Sequence, residues 1–219
     1  MLVRALRGSL PYLEEFNHQT FVLYVSGELL QQEAAPELME EIALLHRVGV
    51  RLVLVHGSET QTQACLGTPA HTQPRTANGQ LVIRRDQVRN IQNVVAAVNW
   101  EFLTRLHLYG HGMVPVSGHF VTASADTRRN ERGALTEDAC GQVHDVDLEA
   151  IQQLLHSRQT PVLTTLATGK RGRVWMLEGR ELALEVAVRL QAKKLILLEA
   201  RAQPVQELRQ LNTARLRQW

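Results

Sequence analysis

With 219 residues, 44% of them hydrophobic, the chain carries enough apolar material for one sizeable core, built as one domain or two closely packed lobes. A formal charge of +2 with 21% charged residues gives no electrostatic reason to invoke nucleic acid or a membrane surface. The longest apolar runs are strand-sized, and Arg4 and Arg7 are not followed by the unbroken apolar stretch of a signal peptide. Cys65 and Cys140 lie far apart without metal-ligand spacing, which predicts idle or buried thiols in a reducing, cytoplasmic setting.

In chain order, Leu2, Leu6, Leu10 and Leu13 recur three and four apart and predict an amphipathic N-terminal helix within residues 1–19. Thr20 to Val25 is β-branched and aromatic and predicts a buried strand that breaks at Ser26-Gly27-Glu28. Leu38, Ile42 and Leu45 mark a helix stopped by Gly49, and Arg51 to Val55 a second buried strand that breaks at His56-Gly57-Ser58-Glu59. Strand, helix and strand form one βαβ unit with a parallel pair. Residues 58–80, rich in Thr, Gln, Gly and Pro, read as a surface loop. Val88, Ile91, Val95, Val98 and Phe102 predict a long helix from Asp86 to near Gly110.

Met113 to Val116 and His119 to Ala123 read as short strands joined at Ser117-Gly118, and His144 to Val146 as an edge strand. Leu148 to Leu155 predicts a helix and Pro161 to Leu166 a buried strand. The turn Thr168-Gly169-Lys170-Arg171-Gly172 leads as a hairpin into Arg173 to Leu177. Leu182, Val186 and Leu190 give a helix, Leu195 to Leu198 a strand, and Val205 to Leu216 a last helical piece. The alternation predicts an α/β three-layer αβα sandwich around a mostly parallel central sheet.

Six segments stand in order along the chain: Arg7-Gly8-Ser9-Leu10-Pro11-Tyr12-Leu13, Thr20-Phe21-Val22-Leu23, Gly27-Glu28, the run from Leu44 to Val55, Gly118-His119-Phe120-Val121 and Asp147-Leu148-Glu149-Ala150-Ile151. Together they resemble the amino acid kinase family, in particular its N-acetylglutamate synthase branch. The resemblance implies a kinase-like domain over 20–219, behind the helix at 1–19, in a protein of arginine biosynthesis. In that branch an acetyltransferase domain transfers acetyl from acetyl-CoA to glutamate, while the kinase-like domain assembles the enzyme and responds to arginine. No acetyl-CoA loop occurs in the sequence. The chain is therefore expected to be a fragment or a shortened homologue, incomplete at its C-terminal end relative to the family.

Phosphoryl transfer needs cations on the phosphates and bare backbone N–H groups beside their oxygens. By the resemblance, Tyr24 stands where family kinases carry a lysine, and Ser26 replaces the first glycine of the pair ending at Gly27. His56 and Gly57 are followed by Ser58 and Glu59 where the family continues its glycines. Leu81 falls at the arginine for the acetylglutamate carboxylate, with Arg84 and Arg85 close by, and Met176 and Arg180 fall at an asparagine and an aspartate. The chain is expected to have no catalytic residues of its own, no cofactor and no metal, and to form a homo-oligomer through its N-terminal helix or the long helix at 86–107. Tyr12, Glu14 and Glu15 are candidates for part of an arginine site. The competing expectation is an active small-molecule kinase in which Arg84, Arg85, Lys170 or Arg180 supplies the missing cation.

Blander readings accompany other features. His56 at a strand end suits loop backbone, and Lys170-Arg171-Gly172-Arg173 suits a solvated hairpin tip. His107, His111 and His119 lack a carboxylate or cysteine at ligand reach in sequence. Arg209, Arg215 and Arg217 read as a solvated or interface face rather than a nucleic-acid surface.

Overall fold

The computed structural model describes residues 15–32, 35–67, 73–75, 80–125 and 138–200. Most of the helix expected within 1–19 and the piece at Val205 to Leu216 fall outside these residues. The described chain runs β1 (Thr20–Val25), α1 (Gly27–Leu30), α2 (Ala35–Arg47), β2 (Arg51–His56), α3 (Glu59–Leu66), α4 (Val88–Tyr109), β3 (Pro115–Ser117) and β4 (Val121–Ala125). It continues through β5 (Gly141–Val146), α5 (Leu148–His156), β6 (Thr160–Leu163), β7 (Leu166–Thr168), β8 (Val174–Met176), α6 (Gly179–Arg189) and β9 (Lys194–Leu198).

The central sheet has five strands in the order β3-β6-β2-β1-β9, and every neighbouring pair is parallel. β1 and β2 stay in register over six residues, from Thr20 opposite Arg51 to Val25 opposite His56. Because side chains alternate faces along a strand, Phe21, Leu23, Val25, Leu52 and Leu54 join α2 and α4 in one core. Val22, Tyr24, Val53 and Val55 join α5 and α6 in another. Helices cover both faces, which is why these strands are apolar throughout rather than alternating. No described helix is long and apolar enough to cross a membrane.

A smaller sheet, ordered β5-β4-β7-β8, is mixed: β4 pairs antiparallel with β5 and parallel with β7, and β7–β8 is the expected hairpin. It adds Phe120, Val121, Ala123 and Trp175 to the α5–α6 core. Met176 and Ala139 pack with Leu81, Ile83, Ile91 and Val95 beside the first half of α4.

Three expectations need correction. Residues 58–80 are not one loop, because Glu59–Leu66 is helical, closed by Gly67 at φ +64°. Its composition hid it, since Thr62 is its one buried residue and no apolar stripe betrays it. The strands expected around Ser117-Gly118 do not form one unit: β3 belongs to the large sheet and β4 to the small one. The run Pro161 to Leu166 is likewise divided at Thr164-Thr165 between β6 and β7. At both places the backbone leaves one sheet for the other.

Phe102, on α4, is 1% exposed beneath the sheet. Phe102→Ala is expected to cost about 3–5 kcal/mol in urea unfolding; a loss under about 1 kcal/mol would mean that this core collapses around the gap.

Candidate functional site

The carboxyl ends of β1, β2 and β9 and the loop after β6 open onto one crevice of about 310 Å³, at the low end of the size of ligand pockets. Crevices at strand carboxyl ends are where open parallel sheets hold ligands. Of the positions singled out in the sequence, Tyr24, Ser26, Ser58, Glu59, Leu81, Met176 and Arg180 line it. Gly27, His56 and Gly57 lie just behind. The sequence reading missed Glu28, Thr165, Leu177, Glu178 and Glu199 as wall residues. Glu199 directly follows β9 and Glu178 directly precedes α6, so their places at element ends were the available signal.

Tyr24 is 2% exposed, and its ring is wedged between two glycines. A Cβ on Gly179 would stand 2.5 Å from Tyr24 Cε2, and one on Gly57 would stand 2.5 Å from the Tyr24 hydroxyl. The hydroxyl lies 3.4 Å from both Glu59 carboxylate oxygens, a long contact for an O–H donor. Burial, and then the Glu59 charge, push the phenol far above the ordinary tyrosine range, so it is a neutral group in the crevice wall.

Helix N-termini carry free N–H groups and partial positive charge, the usual purchase for phosphate. Three of them border the crevice; two are capped by a side-chain oxygen of the chain itself, and the third carries a glutamate in its first turn. Ser26 caps α1, its Oγ accepting from Leu29 N at 3.3 Å. Glu59 sits in the first turn of α3, whose capping residue Ser58 turns its hydroxyl to Thr165 Oγ1 at 3.3 Å. Glu178 caps α6, accepting from Glu181 N at 2.6 Å. Arg180 bridges Glu178 at 3.5 Å and Glu199 at 3.2 Å.

The other cations considered for phosphate lie elsewhere. Arg84 pairs with Asp86 at 2.8 Å on the surface. Arg85 donates to Val174 O at 2.6 Å and stacks 4.2 Å from the Trp175 ring, while Lys170 is in the turn between β7 and β8. His56 is fully buried, donates from Nδ1 to Gly57 O at 3.2 Å, and is pushed below the usual histidine range by that burial. Among the described residues no three His, Cys, Asp or Glu side chains stand together so as to hold a metal. Cys140 is buried and Cys65 exposed, both as free thiols. Tyr12 and Glu14 lie outside the described residues; Glu15 is exposed, 3.9 Å from Lys193 Nζ.

A model of the amino acid kinase family matches residues 19–200. The chain belongs to the amino acid kinase family. Within it, the chain is 28% identical over 204 residues to an amino-acid acetyltransferase of Shewanella oneidensis, a match covering 89% of this chain and 44% of that one. It is 32% identical over 201 residues to an acetylglutamate kinase of a Synechococcus strain, covering 90% of this chain and 64% of the kinase. The N-acetylglutamate synthase of Neisseria gonorrhoeae, solved with coenzyme A and L-arginine, superposes with a TM-score of 0.79 at 25% identity, covering 94% of this chain and 49% of the synthase. The chain thus spans about half the length of the acetyltransferase relatives that it matches. Its nine described strands in two sheets are the kinase-like fold of this family.

In this amino acid kinase fold the crevice is rich in carboxylates, and burial raises the Glu178 carboxyl above the usual carboxylate range against the lowering effects of the Glu181 amide and Arg180. A carboxyl raised on folding contributes stability that is full below its unfolded pKa and lost as pH climbs through the folded value. Glu178→Gln keeps an acceptor for the Glu181 amide and loses only the 3.5 Å ion pair with Arg180, whose guanidinium is exposed. It is expected to match the parent near about pH 4 and exceed it in urea stability near about pH 7; a variant less stable at the higher pH would contradict this.

Proposed function

We propose that the chain is the kinase-like assembly and regulatory domain of an N-acetylglutamate synthase of arginine biosynthesis, and that it transfers no phosphate itself. The observation that carries this reading is the set of oxygens at the crevice's helix N-termini: Ser26 Oγ and Glu178 cap α1 and α6, and Glu59 stands in the first turn of α3. An incoming phosphate would meet carboxylates where it needs donors and cations. Tyr24 offers a neutral phenol where the family resemblance puts a lysine, and Arg180 is already held by two carboxylates. Similarity to the acetyltransferase of Shewanella and to the synthase of Neisseria supports an acetyltransferase domain in the whole protein. In this reading arginine is the effector, with Tyr12, Glu14 and Glu15 contributing to its site, and the protein works in the cytoplasm.

The second reading, an active acetylglutamate kinase, draws on the 32% identity to the Synechococcus enzyme and on Arg75 and Arg180 in the crevice wall. Incubation with Mg-ATP and N-acetylglutamate, with the acyl phosphate trapped by hydroxylamine, separates the two. No hydroxamate above the no-enzyme control is expected; formation that depends on the chain would transfer the proposal to the kinase.

Assembly is proposed to use α4. Trp100 is 73% and Leu108 64% exposed on the face that also carries Ala97 and Thr104, at helical spacing. Leu44 on the adjacent α2 is 46% exposed. A second copy presenting the same stripe makes a self-complementary pair about a twofold axis. Light scattering is expected to give twice the chain mass for the parent and a folded monomer for Trp100→Glu. A parent that stays monomeric, or a variant that stays dimeric, would remove α4 from the interface.

A further inference from the structure

At the opposite end of the central sheet from the crevice, a groove of about 650 Å³ runs along the starts of β1 and β2 and the ends of α2 and α5. His18, His46, Arg47, Arg51, His156 and Arg158 line it, and no described carboxylate does. The Arg47, Arg51 and Arg158 side chains make no ion pair or hydrogen bond among the described residues. Two of the imidazoles do: His46 Nε2 donates to Arg158 O at 3.3 Å, and His156 Nδ1 donates to Gln152 O at 2.6 Å.

The plainest account of cations here is complementarity to the helix dipoles, since α2 and α5 both end at the groove. Two helix ends amount to about one negative charge together, and three guanidiniums exceed that before any histidine is counted. The backbone supplies an independent observation. Gly49 ends α2 at φ +92°, the ordinary choice for a left-handed cap. His18 and Arg158, on the same groove, take φ +61° and +57° without being glycine. Stability alone favours glycine or asparagine at such positions; the chain instead places an imidazole and a guanidinium there.

We propose that this groove binds a small polyanion, a molecule bearing two or more phosphate or carboxylate groups. Guanidinium forks grip either group by paired N–H donors, and the volume exceeds what a lone inorganic phosphate would fill. The site is separate from the crevice and does not depend on whether that crevice is catalytic. Calorimetry on the full chain at low salt, with tripolyphosphate as the phosphate probe and citrate as the carboxylate probe, tests it. At least one probe is expected to bind, and Arg51→Ala and Arg158→Gly are each expected to weaken it about tenfold, the loss of one charge-assisted contact. Arg158→Gly places glycine in a left-handed position, so its Tm is expected to hold or rise while affinity falls. The proposal is overturned if neither probe binds by about 5 mM, if the Arg51→Ala/Arg158→Gly double variant binds like the parent, or if Arg158→Gly lowers Tm.

Discussion

The fold depends on the parallel pairing of β1 with β2, six residues in register with every side chain from Phe21 to Val25 and from Leu52 to His56 buried. A pair like this cannot stand alone, because both of its faces must be covered before its apolar surface leaves water. That requirement recruits α2 and α4 to one side and α5 and α6 to the other. It also fixes where chemistry can occur. Both strands end together, so the backbone of Ser26 and of Ser58 emerges at one place, with the first turns of α1 and α3 beginning there.

A sheet of this kind has two unlike ends. At the carboxyl end, helix N-termini gather and the chain meets their positive ends with its own acidic and hydroxyl oxygens. At the other end, helix C-termini gather and the chain meets them with arginine and histidine beyond what their dipoles require. The surface charges are therefore segregated by the direction of the strands, although the net charge is only +2. A small net charge conceals two concentrated fields of opposite sign, and only the three-dimensional order of elements reveals them.

Much of the fold was legible because its signals are strong and local. β1 and β2 are set by unbroken apolar runs and the long helix by apolar periodicity, and Gly49 and Gly110 stand at the ends of helices as their positions suggest. Helix α3 was not legible, since Glu59-Thr60-Gln61-Thr62-Gln63 has the composition of a turn and no apolar stripe. Nor was the division of β3 from β4 and of β6 from β7, because a strand's sequence does not say which sheet it joins. In the crevice, residues flanking the two glycine turns could be located from sequence. For Glu178 and Glu199 the sequence offered only their places at element ends, because their approach to Glu59 and Arg180 depends on α6 and β9 docking beside β1 from far along the chain.

The wedge formed by Tyr24, Gly57 and Gly179 limits the substitutions open to this sequence. A lysine at position 24 would be a compact charge on a flexible stem that leaves room beside a backbone; the tyrosine ring fills that room, against both glycines. Any side chain acquired at Gly57 or Gly179 now strikes the ring or the Glu59 carboxylate. The packing of the ring alone therefore requires glycine at both positions, whatever the crevice binds. A lysine at position 24 would lose that packing and set its charge where the present side chain is 2% exposed, beside Glu59. Tyr24, Gly57 and Gly179 thus constrain one another sterically, and a change at any one of the three is felt at the others.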